Sequence, residues 1–153
     1  MRIGLIADTH GVLRPEAVAF LRGSDAILHA GDIGAPAILE QLAAIAPLTA
    51  VRGNIDTAGW AASIPDTVDL ELAGIAVHML HDVKTLDREP AAHGIRVVVA
   101  GHSHRPGCHE RDGVLFVNPG SAGPRRFRLP ISVGELRIGA GTVDVHLQDL
   151  AVG

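Results

Sequence analysis

Continuous apolar runs of strand length recur along the chain: IGLIA (3–7), AILHA (26–30), LTAV (48–51), IAVHML (75–80) and VVVA (97–100). Continuity, rather than apolar–polar alternation, is the pattern of strands covered on both faces. Between the first three runs lie RPEAVAFLRG and APAILEQLAAIA, in which Pro15 and Pro36 suit the first turn of a helix. The resulting βαβαβ order predicts parallel strands joined by right-handed crossovers. Later the pattern changes. VDLELAG, CHERDGVLFVN and SVGELRIGAGTVDVHLQ read as strands joined through glycine-containing turns, with Asp112-Gly113 and Gly139-Ala140-Gly141 as hairpin tips. An α/β chain is expected, parallel in its first half and antiparallel in its second. With no repeat of fixed period and no linker composition, residues 1–153 read as one domain.

Each continuous run ends in polar residues able to hold a metal ion. IGLIA leads to Asp8 and His10, AILHA to Asp32, LTAV to Asn54, IAVHML to His81, and VVVA to His102 and His104. Residues two apart on a strand share a side, so His102 and His104 point together. In a largely parallel sheet the carboxyl ends of the strands form one edge, where α/β proteins build their sites. His78 competes with His81, but it has the opposite parity within its strand, which favours His81 as the ligand. Four imidazoles, two carboxylates and an amide exceed what one tetrahedral ion needs. Two ions about 4 Å apart would use them. Asp32 or Asp8 could bridge such a pair, whereas the neutral Asn54 could only be terminal. Imidazole, carboxylate and amide ligands accept Mn, Fe, Ni, Co or Zn.

Composition narrows the function classes. With 47% apolar and 20% charged residues the chain folds, and no apolar run approaches the length of a membrane span. A net charge of −4 leaves no broad basic surface for general nucleic-acid binding. The lone Cys108 fits a reducing compartment and reads as an inert thiol. MRIGLIADTH enters a strand with no basic leader, so a cytoplasmic location is expected.

The segments DTH, GD, GN, the strand-end His81 and GHSH, in that order, resemble the metallophosphoesterase signature of the calcineurin-like superfamily. FVNPGSAGPRR, which follows them, is similar to the N-P-G-S segment of its small bacterial and archaeal phosphodiesterase branch. The resemblance implies two packed mixed β-sheets flanked by helices, an αββα sandwich with two divalent ions at its strand ends, manganese foremost. It implies that Asp8, His10, Asp32 and His104 hold the first ion, that Asp32, Asn54, His81 and His102 hold the second, and that Asp32 bridges. The activity implied is hydrolysis of small phosphodiesters by a metal-activated water, with Asp32, Asn54 and His102 acting through the ions. A retromer subunit of the superfamily has this fold without catalysis, so a non-catalytic scaffold is the alternative; its expected sign is substituted ligands, and here every position is filled. A homo-oligomer stays open.

Two positions depart from the superfamily's pattern: Asp82 stands where many relatives have glycine, and Ile55 where larger relatives have a histidine that protonates the leaving group. Protonation then falls to water on the metal or to Asp56, or good leaving groups need none. His29 reads as a core residue, His93 and His146 as surface, and His109 as a neighbour of the site. Arg125, Arg126 and Arg128 either clamp phosphate oxygens or form a solvated loop.

Overall fold

The computed structural model describes residues 1–152. In chain order it contains β1 (Arg2–Ile6), α1 (Pro15–Leu21), β2 (Ala26–His29), α2 (Pro36–Ala43), β3 (Leu48–Ala50), β4 (Thr67–Leu72), β5 (Ile75–Leu80), β6 (Val97–Val99), β7 (Gly107–Arg111), β8 (Val114–Asn118), β9 (Ser132–Gly139) and β10 (Thr142–Asp149). Both helices start at the proline that sequence places in the first turn.

The strands form two five-stranded mixed sheets, β10-β9-β1-β2-β3 and β4-β5-β6-β8-β7. These are the two mixed sheets that the resemblance implies: β1, β2 and β3 lie in the first, β5 and β6 in the second, so the candidate ligands come from two sheet edges and not from one parallel sheet. Nor is the second half uniformly antiparallel, because β8 runs parallel to β6. The C-terminal hairpin crosses back to the first sheet, where β9 pairs antiparallel with β1. Strand partners separated by more than 100 residues leave no local periodicity, which is why the pattern of apolar runs missed this crossing.

The faces between the sheets bury Ile3, Leu5, Leu28, Val77, Met79, Val97, Val99 and Leu136. Burial of each such side chain contributes about 1.5–3 kcal/mol. The helices cover the outer face of the first sheet, packing Ala17, Leu21, Ile38 and Leu42 against Ile6, Ile27 and Val133. On the outer face of the second sheet, cover is reduced to 3-10 turns at Val83–Thr85 and Pro90–His93, with Leu80, Val98 and Phe116 below. The outer strands β4 and β10 alternate half-buried and exposed positions along most of their length, as edge strands with one wet face do.

Register positions the site. Ile6 pairs with His29, and His29 with Ala50, so β1, β2 and β3 end level. In the second sheet Met79 pairs with Val99, which brings the ends of β5 and β6 level. Asp8, Asp32 and Asn54 therefore emerge from one sheet opposite His81, His102 and His104 from the other. No helix among the described residues is long and apolar enough to cross a membrane.

Candidate metal centre

Five of the seven candidate residues adopt left-handed backbone: Asp8 (φ 55°), His10 (47°), Asp32 (55°), His102 (71°) and His104 (62°). Each such non-glycine conformation costs on the order of 1–3 kcal/mol and persists only where its surroundings enforce it. The enforcing contacts are backbone bonds between strand-end loops: Asp8 N–H donates to Gly31 O (3.0 Å) and His10 N–H to Asp32 O (2.9 Å). His102 N–H donates to Asp8 Oδ2 (3.1 Å), joining the two sheets. Gly53 allows a close approach that no side chain could, since a Cβ there would lie 2.1 Å from Asp32 Oδ1.

Two groups of donors result, Asp8–His10–His104 and Asp8–Asp32–His81, each with ligand atoms within 4.8 Å of one another. Asp32 Oδ2 lies 3.3 Å from His81 Nε2 and 3.5 Å from His10 Nε2, while Asp8 Oδ1 lies 3.7 Å from His104 Nε2 and 3.9 Å from His81 Nε2. Both carboxylates thus face donors of both groups. Separations of about 3–4 Å are those of neighbouring ligands bound at about 2.1 Å to a shared ion. Asp8 Oδ1, His10 Nε2 and His104 Nδ1 are buried without a hydrogen-bond partner. Orphaned polar atoms of this kind are costly unless something cationic or protic satisfies them, so the donor set fits divalent ions.

His81 carries a further sign of a ligand. Its Nδ1 donates to Ala30 O at 2.7 Å, which fixes the ring and leaves Nε2 facing Asp32 and Asp8. His102 Nδ1 lies 3.3 Å from that Nε2, and the His102 ring is half-exposed. Asn54 stands at the rim, exposed, in one cleft with His81 and His102. Asp82, the departure from glycine, places Oδ2 3.7 Å from His102 Nε2.

His78 faces the other way, buried against Asp69 Oδ1 at 2.7 Å. His29 is a satisfied core residue: Thr9 Oγ1 donates to Ile33 O, so His29 Nε2 donates to Thr9 Oγ1 (3.0 Å) while Nδ1 accepts from Gly31 N–H (3.1 Å). His93 and His146 are exposed, and His109 stacks on Phe116.

Two contributions escaped the sequence reading. Asp56, weighed there as a proton donor, is 2% exposed and accepts from Ile33 N–H (3.0 Å), Gly34 N–H (3.0 Å) and Gly53 N–H (2.9 Å). It ties two loops together, and its oxygens are taken. Asn118 Nδ2 donates to Gly101 O (2.9 Å) and Ser103 Oγ (3.1 Å), bracing the GHSH turn. The N-P-G-S segment that contains it was the available signal.

Burial pushes Asp8 up to about 7, with the Asp32 charge adding and His81, the His102 N–H and Arg126 opposing. Burial, reinforced by the charges of Arg126 and His10, brings His104 down to about 4, and burial also lowers His10. For Asp32 burial would raise the pKa, but hydrogen bonding and charge from His81, the Ile55 N–H and His10 outweigh it and hold the carboxyl below its usual range. For His81 burial would lower the pKa, and the Asp32 contact, the Ala30 carbonyl and the two carboxylate charges raise it instead.

These shifts give metal binding a pH dependence. Asp8 ionises near 3.8 when exposed and near 7 when folded. Between those values the folded chain binds more protons than the unfolded one, so this group's contribution to the stability of metal-free protein falls as pH rises through that window and levels above 7. A divalent ion relieves the penalty and must displace the proton below pH 7, as it must at His81. Saturating Mn²⁺, at about 100 times its Kd, is expected to stabilise by about 2.7 kcal/mol, or about 5–10 °C in Tm. At one fixed Mn²⁺ concentration the gain should be larger at pH 8 than at pH 5, because protons compete for the ligands at the lower value. Thermal scans with and without Mn²⁺ at both values check this; equal gains would contradict it.

Residues 1–141 match the calcineurin-like phosphoesterase superfamily domain. A probable metallophosphoesterase of Methanothermobacter thermautotrophicus is 35% identical over 160 residues, spanning 96% of this chain and 91% of that protein. Among solved structures, an archaeal phosphodiesterase superposes with a TM-score of 0.80 at 22% identity, covering 97% of this chain and 100% of its own. Vps29 of Chaetomium thermophilum gives 0.79 at 22% identity, covering 98% and 95%. At those identities the two structures share the fold with this chain. Sequence and architecture agree: the chain belongs to the calcineurin-like phosphoesterase superfamily.

Proposed function

We propose that this protein is a phosphodiesterase that hydrolyses small phosphodiesters with two divalent metal ions, Mn²⁺ foremost, held by Asp8, His10, Asp32, Asn54, His81, His102 and His104. The observation that carries the reading is the convergence of Asp8, His10 and His104, whose Asp8 Oδ1 and His10 Nε2 are buried without a partner, beside His81, whose Nδ1 bond to the Ala30 carbonyl leaves Nε2 facing Asp32 and Asp8. Divalent ions bound there would supply Lewis acidity, lowering the pKa of a water and neutralising charge that builds on the phosphoryl oxygens.

The chain's own residues orient and restrict. His10 and His104, held neutral by burial, keep lone pairs available near neutral pH. Asp32, held ionised, supplies charge between His10 and His81, the place of a bridging ligand. Arg126 stands exposed on the loop whose base Ser121 and Ala122 tie to Asp8 O and Ala7 O, which favours phosphate contact over the solvated-loop reading for this arginine. No side chain is assigned as general acid, because Ile55 has no proton to give and Asp56 is occupied by three N–H groups. Diesters with good leaving groups suit such a site. A non-catalytic scaffold shares this architecture, but the filled ligand positions favour turnover.

The test is hydrolysis of bis(p-nitrophenyl) phosphate by chelated protein before and after addition of Mn²⁺, compared with the monoester p-nitrophenyl phosphate. Turnover of the diester should appear only with metal and exceed that of the monoester. Identical background rates with and without metal would leave the scaffold reading standing.

A further inference from the structure

Phe127 is the feature of the chain that neither the core nor the metal cluster uses. It is 89% exposed in a protein with three phenylalanines, one tryptophan and no tyrosine. Its backbone is left-handed at φ 56°, an outlier for a bulky residue that turns the ring outward. The ring lines an open cleft of about 780 Å³ with Arg105, Arg128 and Leu129, a volume within the range of small-molecule sites. Arg105 directly follows His104, one of the candidate ligands.

The loop that presents Phe127 is anchored to the strand end that carries Asp8. Ser121 Oγ donates to Asp8 O (3.2 Å) and Pro124 O (3.1 Å), Ala122 N–H donates to Ala7 O (3.0 Å), and the Arg14 guanidinium donates to Gly123 O (2.9 Å). Leu129 N–H closes the turn on Arg126 O at 3.1 Å. The loop base is thus fixed to the strand end that carries Asp8. An exposed ring framed by guanidinium groups offers a flat partner two attractions, stacking and cation–π contact, and offers a phosphate its counter-charge.

We propose that Phe127 is the stacking platform for the base of a mononucleoside phosphodiester, with Arg105 and Arg128 framing the ring and offering the phosphate its counter-charge. This rests on the phosphodiesterase reading above and names its substrate class. A single small base matches the one ring available, whereas a polynucleotide would need a basic track that a net charge of −4 does not provide.

Two substrates with the same leaving group isolate the base: thymidine 5′-(p-nitrophenyl phosphate) and methyl p-nitrophenyl phosphate, each hydrolysed by Mn²⁺-reconstituted protein. The wild type should favour the nucleoside ester by about tenfold in kcat/KM, carried by KM, the size of one base–aromatic stack. Phe127→Ala should bring the ratio close to one, and Phe127→Trp should keep it. A wild-type ratio near one, or a ratio that Phe127→Ala leaves intact, overturns the proposal while the phosphodiesterase reading survives. If neither ester is hydrolysed, that reading falls and calorimetric titration decides the inference alone. Thymidine 5′-monophosphate binding about tenfold tighter than methyl phosphate, with the difference lost in Phe127→Ala, supports the platform; equal affinities refute it.

Discussion

Asp32→Asn protein should lose diester turnover by on the order of 10³-fold and hold fewer divalent ions, yet fold normally. The substitution is nearly isosteric, and asparagine tolerates the left-handed backbone (φ 55°) at this position. An amide oxygen can still accept the 3.2 Å bond from Ile55 N–H. What disappears is the charge on the oxygen lying 3.3 Å from His81 Nε2 and 3.5 Å from His10 Nε2. A neutral amide with one acceptor oxygen cannot serve two cations as a carboxylate does. Losing one preorganised electrostatic partner costs about 10²–10³ in rate; losing a carboxylate proposed to serve two ions would belong at the upper end. Metal content by elemental analysis, thermal midpoint without metal, and diester kinetics read the three parts separately. Full activity with unchanged metal content would remove Asp32 from the proposed centre.

Asp56→Ala should do the opposite, striking the fold first and the chemistry through it. The carboxylate accepts Ile33 and Gly34 N–H from the loop after β2 and Gly53 N–H from the loop after β3, at 2.9–3.0 Å. Alanine leaves those donors without an acceptor in a buried place, and each buried unsatisfied group costs about 1–3 kcal/mol. A loss of about 3 kcal/mol or more is expected, lowering Tm by about 6–12 °C at the size of this domain. Asp56→Asn should fall between, because its NH₂ group cannot accept. Metal affinity should weaken by about 10–100-fold, as for other residues that orient ligands without touching the ion, since the loops carrying Asp32 and Asn54 come apart. A thermal midpoint within about 1 °C of wild type would refute this account.

Much of the site was legible because its ingredients are local. A continuous apolar run marks a strand, largely buried in β1, β2, β5 and β6 but half-buried in β3, which is an edge strand with only one neighbour, and the residues just past its end lie at a sheet edge, so the candidates Asp8, Asp32, Asn54, His81 and His102 could be picked out one run at a time. Parity separated His81 from His78 for the same reason: strand side chains alternate, and the structure turns His78 toward Asp69 and His81 toward Asp32. Motif order along the chain then pointed to the superfamily.

The amino-acid sequence by itself therefore determined the strands and helices, the types of candidate ligand and their place at strand ends. Only the tertiary structure decided which strand ends belong to which of the two sheets, that β9 returns to pair with β1, and that five candidates take left-handed backbone. It alone turned Asp56 from a candidate acid into a tie between loops, gave His81 its orienting carbonyl on Ala30, and set Phe127 beside Arg105. The physical reason is range. Periodicity reports how each segment meets its immediate surroundings, whereas register between sheets and bonds from side chains to distant backbone depend on residues tens of positions apart, whose meeting no local pattern encodes.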